Sequence, residues 1–278
     1  MTSARRAWHG DVRVRAGPRV ASTVRAVSFD FGNTLVPVTR DDLRVVVDRT
    51  TRVVARRCGP FDEADFAAAW AEERDRQFAE DMPRMREVDL GERAVRVLAR
   101  MRGMPAPDRI EPWDDEAARG YSSPDEVDFA LETYTASFVA TIAPPAGVGP
   151  LLERLAGRYA LGICSNWPVA ATIDRFVEAA GWAQHLSAVV VSQRVGTIKP
   201  DVRMFQVTEA LLGVPPGAIL HVGDDWAADI VGAKRAGWLA AWLRTDATDS
   251  PFPTSPRDDS VEADLWVGRL ADLEAALA

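Results

Sequence analysis

The chain has 278 residues, 47% of them hydrophobic, and a formal net charge of −8. That length and apolar content can bury a sizeable core, one large domain or a core with a smaller companion. The acidic balance argues against a general binder of nucleic acid or anionic membranes, but a locally positive pocket can still take a small anion. Two cysteines, Cys58 and Cys164, are too few for a disulfide framework and point to a reducing cytoplasm. No apolar run approaches the roughly 20 residues that span a bilayer.

In chain order, residues 1–21 are expected to be a disordered tail or translation from an upstream start. The pair Arg5 and Arg6 lacks the apolar segment of an export signal behind it. The first strand is expected in "VRAVSF" (24–29). From Val38 to about Pro144 only helix signals occur. "DDLRVVVDRTTRVVARR" places Leu43, Val46, Val47, Thr50 and Val54 on one face. "DLGERAVRVLARM" sets Asp89 and Glu92 in capping-box spacing, and Ser123 with Pro124 opens a further helix. So many helical residues after strand one are too long for a crossover and read as a second domain, with Pro144 and Pro145 marking the return.

Further strands are expected in "YALGIC" (159–164), "AVVV" (188–191), "AILHV" (218–222), "WLAAWL" (238–243) and, more weakly, "ADLWV" (263–267). Most are continuous apolar runs, as strands covered on both faces should be. Helical stretches that stop at Gly181, Gly213 and Gly237 separate the later ones, which implies a parallel sheet with right-handed crossovers. Residues 245–260, "TDATDSPFPTSPRDDS", read as a mobile loop. The fold class is therefore α/β: a Rossmann-like parallel sheet core with helices on both faces, at 22–37 and 145–278, and an inserted all-helical domain at 38–144.

In an open parallel sheet, ligands bind beyond the carboxyl ends of the strands. Strand one ends on Asp30 in "VSFDFGNTLV", and strand two on Ser165 and Asn166. Lys199 follows strand three in "GTIKPD", and strand four ends in "GDDWAAD" with Asp224, Asp225 and Asp229. Asp30 and Asp224 could share a divalent cation such as Mg²⁺. Ser165 and Lys199 could hold phosphoryl oxygens, helped by backbone N–H groups at Phe31 and Gly32. The second oxygen of Asp30 would then be free to attack phosphorus.

With "DFGNTL", "CSN", "KPD" and "GDDWAAD" in this order, the chain resembles the haloacid dehalogenase superfamily of phosphohydrolases over residues 24 to 270. The resemblance implies that the helical insert is a C1-type cap, a lid associated with small soluble substrates. It implies Asp30 as a nucleophile forming an aspartyl-phosphate, and phosphate binding by Ser165. Lys199 would orient both, and Mg²⁺ would bind Asp30, Asp224 and the Gly32 carbonyl. Asp225 or Asp229 would act through water or on Lys199, and Asn166 belongs to the phosphate-binding motif. The chain departs from the family at Gly32. Most family phosphatases have an aspartate there that protonates the leaving oxygen and later activates water. Some carry glycine, and Asp225 or a cap residue could substitute.

The function expected is a Mg²⁺-dependent phosphatase of a small phosphorylated metabolite. Alternatives are a phosphate-binding protein that has lost turnover with Gly32, and a 2-haloacid dehalogenase. The latter is disfavoured by the first motif and by the acidic fourth one. His221 inside a strand reads as a buried, hydrogen-bonded side chain, and Arg84 and Arg86 as solvated more often than substrate-reading. Trp167 and Trp226, directly after site motifs, could wall the pocket. Oligomeric state is not legible.

Overall fold

The computed structural model describes residues 14–16, 20–108, 111–244, 249–252 and 254–278. Its strands in chain order are β1 (Val14–Ala16), β2 (Ala26–Phe29), β3 (Ala160–Ser165), β4 (Ala188–Val191), β5 (Ile219–Gly223), β6 (Leu239–Leu243) and β7 (Leu265–Val267). They form one sheet in the order β1-β7-β6-β5-β2-β3-β4. All pairings are parallel except β1 with β7.

The apolar runs are continuous because both sheet faces are covered. Val27, Phe29, Leu161 and Ile163 face the helices Val148–Ala156 and Ala170–Ala179. Ala26, Cys164, Ile219 and Ala240 face the opposite way, onto Met204 and Phe205 of the helix Val202–Leu212. The chain builds β3 and β4 to one side of β2 and β5, β6 and β7 to the other. Strand order therefore reverses at β2, where such sheets open a crevice.

The six expected strands are present. The seventh, β1, pairs Val14 with Val267 inside the stretch expected to be a tail. Three residues without an apolar run give no strand signal. Residues 1–13 and 17–19 lie outside the described residues.

Among the described residues of the insert there are five α-helices, Arg40–Cys58, Glu63–Asp81, Leu90–Met101, Asp115–Arg119 and Pro124–Thr141, and a short 3-10 turn at Met82–Arg84. Thr39 and Ser123 close reciprocal capping boxes with Asp42 and Glu126. Asp89 accepts from the Gly91 and Glu92 N–H groups, but Glu92 turns to Arg119 at 3.6 Å, so the box expected there is half made. The helix Glu63–Asp81 buries polar residues on its inner face. Glu73 accepts from the Trp113 indole at 2.8 Å, and Gln77 takes the Arg93 guanidinium at 2.9 Å. The apolar stripe on this face is confined to Phe66, Ala69 and Trp70 in its first half, and polar residues continue it beyond.

Among the contacts that join the helical insert to the sheet and its helices, two lie nearest the strand ends. Phe138 of the helix Pro124–Thr141 is fully buried against Trp167, Phe176 and Phe31, with ring centroids at 5.2, 5.9 and 6.4 Å. The turn at 82–88 reaches the segment that leads into Lys199. There the Met85 carbonyl, on a residue with φ 55°, accepts from Thr197 Oγ1 at 2.9 Å and Ile198 N–H at 3.2 Å. Ser192 Oγ donates to Glu87 Oε2 at 2.6 Å. Arg86 pairs with Asp81 at 2.6 Å, and Arg84 is exposed.

Phe138→Ala should cost about 3–5 kcal/mol in urea unfolding, the usual loss for a buried phenylalanine. Desolvation pushes the Glu87 carboxyl above its ordinary value. Its contribution is therefore fully present below the unfolded pKa and fades as pH rises through the folded one. Glu87→Gln keeps a partner for Ser192 without the charge. In thermal melts it should gain on the wild type from acid to neutral pH, and parallel curves would reject this account.

Candidate active site

Asp30 is the first residue beyond β2, and its N–H continues the ladder to the Val222 carbonyl at 2.9 Å. The chain then turns sharply. Leu35 and Val36 N–H both donate to the Phe31 carbonyl, at 3.0 and 2.9 Å, and Asn33 sits in the left-handed region with φ 58°. Asparagine tolerates that backbone better than other residues with a side chain, apart from aspartate. Phe31 points inward, edge-on to Phe176 and Trp167. Among the described residues no acceptor takes the Phe31 or Gly32 N–H, so both remain available to an anion.

Lys199 forms the centre of the cluster. Its Nζ donates to Asp30 Oδ1 at 2.7 Å and to Asp229 Oδ1 at 2.6 Å. Ser165 Oγ donates to the same Asp30 oxygen at 2.9 Å, which leaves Oδ2 unengaged by these two groups. Asn166 fixes the lysine backbone: its Oδ1 accepts from Lys199 N–H at 2.7 Å and its Nδ2 donates to the Lys199 carbonyl at 3.1 Å. Asp229 also accepts from His221 Nε2 at 3.1 Å and from the Asp225 N–H at 2.9 Å. His221 Nδ1 in turn meets Ser28 Oγ at 3.1 Å.

Gly223 allows this approach. A Cβ there would lie 2.1 Å from Asp229 Cγ, so any other residue would expel the carboxylate. Asp224 accepts from Thr34 Oγ1 at 3.3 Å, and its carbonyl from the Trp242 indole at 3.2 Å. The Asp225 carboxylate is engaged elsewhere. It accepts from Ser255 N–H and Oγ, at 2.7 and 2.8 Å, and caps the following helix through Ala228 N–H at 2.7 Å.

The charges explain one another. Burial opposes the Lys199 ammonium, but Asp229 and Asp30 outweigh it and hold the lysine protonated. Burial likewise opposes the Asp229 anion, yet Lys199 and His221 hold it below the usual carboxylate range. Burial keeps His221 neutral, so Nε2 carries the proton toward Asp229 and Nδ1 accepts from Ser28. Burial raises Asp30 despite Lys199, and burial with the charges of Asp30 and Asp229 pushes Asp224 up to about 8. Cys164 is pushed up to about 11 by burial, which makes it an inert thiol.

Three carboxylates thus face one ammonium. Asp30, Asp224 and Asp229 each offer an oxygen within 4.8 Å of the others. This all-oxygen, electron-rich set fits a hard divalent cation, which would offset the excess negative charge.

The segment after β6, expected to be a loop, closes over the nucleophile turn in its described part; residues 245–248 and 253 lie outside it. Asn33 Nδ2 donates to Ser250 Oγ at 2.7 Å. A Cβ on Gly32 would lie 2.8 Å from the Phe252 ring, which also packs on Trp167 at 5.5 Å. Farther along, Arg257 stacks on Trp226 and Trp266 at 5.4 and 4.9 Å. Sequence reading missed Thr34, Phe252 and Ser255. It had one usable signal for His221: a polar residue in an apolar strand needs a buried partner.

The sequence profile of the haloacid dehalogenase-like hydrolases matches residues 24–237, and the chain belongs to this family. Among curated relatives, the phosphoserine phosphatase of Thermus thermophilus is 36% identical over 99 residues, 36% of this chain and 37% of that protein. The 5-amino-6-(5-phospho-D-ribitylamino)uracil phosphatase of Escherichia coli is 31% identical over 117 residues, 41% and 48% of the two chains. Each match spans less than two thirds of the relative. A 2-haloacid dehalogenase from Pseudomonas syringae shares the fold, with a TM-score of 0.59 at 22% identity, over 91% of this chain and 98% of that one. The chain is thus a hydrolase of the haloacid dehalogenase-like family, built on a largely parallel α/β sheet.

Removing one partner of a buried ion pair typically costs 3–5 kcal/mol, because the other charge is stranded. Asp229→Asn should lose about that much stability at neutral pH in chemical denaturation. A loss below about 1 kcal/mol, the range of exposed pairs, would mean that Lys199 does not depend on it.

Proposed function

We propose that the chain is a Mg²⁺-dependent phosphatase of small phosphorylated metabolites, working through an aspartyl-phosphate on Asp30. The observation that carries this reading is the lysine bridge. Lys199 and Ser165 bind one oxygen of Asp30 and so orient the other toward an incoming phosphorus. Lys199, held cationic, lowers the repulsion between that carboxylate and a phosphate and balances charge on the group in transfer. The Phe31 and Gly32 N–H groups would donate to phosphoryl oxygens, with the Ser165 hydroxyl as a further donor. Asn166 acts on the backbone of Lys199 and positions it.

Mg²⁺ would be held by Asp30, Asp224 and the Gly32 carbonyl, and would supply charge neutralisation at the phosphoryl group. Asp229 lies in the same oxygen cluster, and its bonds to Lys199 and His221 make it the residue that keeps the lysine in place. Two of the relatives above are phosphatases by name, which supports the reaction class. No helix among the described residues is long and apolar enough to cross a membrane, and both cysteines are free, which is compatible with action in the cytoplasm.

Phosphate release from sugar phosphates, nucleotides and an aryl phosphate should require Mg²⁺, stop with EDTA and return when Mg²⁺ is restored. Asp30→Asn should reduce it to background in protein that is still folded at the assay temperature by circular dichroism, even though the loss of one Lys199 partner lowers its melting point. Release that survives Asp30→Asn would overturn the aspartyl-phosphate route.

A further inference from the structure

The turn that carries Asp30 is walled on one side by carbon. A side chain at position 32 would project into the Phe252 ring, 2.8 Å from its Cβ. The backbone does not demand glycine, since Gly32 lies outside the left-handed region. The obstacle is the ring, and three ties on the segment that brings it hold it there. Ser250 accepts from Asn33, the Phe252 N–H donates to Ser250 Oγ at 3.1 Å, and Ser255 is clamped on Asp225.

Among the described residues, the proton carriers nearby are committed elsewhere. Asp224 accepts from Thr34 at 3.3 Å and belongs to the three-carboxylate set that suits the cation. Lys199 spans Asp30 and Asp229 on the nucleophile's own side. His221 is fully buried behind Asp229. The Asp225 carboxylate is filled by Ser255 and the helix cap, and Glu87 is bonded to Ser192 under the helical domain. In an in-line displacement the leaving oxygen lies across phosphorus from the attacking one, away from Lys199 and Ser165.

Resting on the phosphatase reading above, we propose that this enzyme takes activated phosphates, whose leaving group departs as a stable anion without a proton from the protein. Acyl phosphates, phosphoanhydrides and enol or aryl phosphates share that chemistry. Asp30 Oδ2 forms a bond to phosphorus as the bond to the leaving oxygen breaks. The leaving group keeps the electron pair and departs as RO⁻. Water then attacks the aspartyl-phosphate, the bond from phosphorus to the Asp30 oxygen breaks, and both hydrogens of the water leave on dihydrogen phosphate. Phe252 fills the space that a side chain at position 32 would need.

The test is a leaving-group series on the full chain with Mg²⁺: dinitrophenyl, nitrophenyl and phenyl phosphate, acetyl phosphate, and glycerol phosphate as the alkyl case. General acid help is worth roughly 10²–10⁴ in rate, so without it kcat/KM should fall by at least about 10²-fold from dinitrophenyl to glycerol phosphate. Acetyl phosphate should stay with the fast group. The double variant Gly32→Asp with Phe252→Ala makes room for a carboxyl at that position. It should raise the ratio of the glycerol phosphate rate to the dinitrophenyl phosphate rate by about tenfold or more, a modest part of what a positioned acid gives, whatever the change in absolute rate; an unchanged ratio in folded protein overturns the inference. Phe252→Ala alone should leave the series steep and controls for folding. A flat series, with glycerol phosphate as fast as dinitrophenyl phosphate, overturns the inference and keeps the phosphatase. No release even from dinitrophenyl phosphate by folded protein overturns the phosphatase reading itself.

Discussion

The site is organised around one buried ammonium. Lys199 is almost wholly out of water, with a side-chain exposure of 2%, and an unpaired cation at that depth would cost several kcal/mol. Asp229 and Asp30 together make its burial tolerable, and each of them in turn relies on the lysine. The neighbours follow from that need. Gly223 is small so that Asp229 can reach over the strand end, and His221 is neutral so that it can donate to Asp229 rather than compete with Lys199. Asn166 grips the lysine backbone on both sides. The fully paired anion in the cluster is Asp229, and the one with an oxygen to spare is Asp30.

Two excursions of the chain close on this centre from different origins. The helical insert leaves after β2 and returns before β3. It presses Phe138 into the aromatic group under the nucleophile turn, and its 82–88 turn onto the segment before Lys199. The segment after β6 comes from the far side of the sheet and lays Phe252 against Gly32. The insert touches both the lysine side and the underside of the nucleophile turn, and the segment after β6 touches the turn at Gly32, so the surroundings of the cluster are built by parts of the chain that do not pair with each other in the sheet.

Much of this was legible in the sequence because it is local. Each strand signal is a run of apolar residues, and several helix exits are glycines, Gly59, Gly157 and Gly213 among them. Asp30, Ser165 and Asp224 stand at or directly after a strand end, and Lys199 follows β4 by one helical turn and a short loop. The parts that were not legible depend on distance along the chain. Nothing local marks Phe252 as the partner of Gly32 or Ser255 as the partner of Asp225, and the helix Glu63–Asp81 hides its buried face behind Glu73 and Gln77. Asp225 reads as a free carboxylate in "GDDWAAD" and is bonded to a serine 30 positions on. The strand β1 escaped because its pairing with β7 joins the two ends of the chain.

The strand order has a consequence for how the molecule comes into being. β2 lies between β3 and β5, so the strand bearing Asp30 stays half-paired until residues near 219 have been made and folded. Lys199 meets Asp229 only after that, when the helix that follows β5 forms. Long-range closures of this kind are slow, because chain entropy is lost before any contact compensates. Until then the lysine and the carboxylates are hydrated side chains with ordinary chemistry. Formation of the cluster is therefore a late event, and a chain truncated or stalled before β5 carries the nucleophile motif but none of the environment that gives it an unusual charge state.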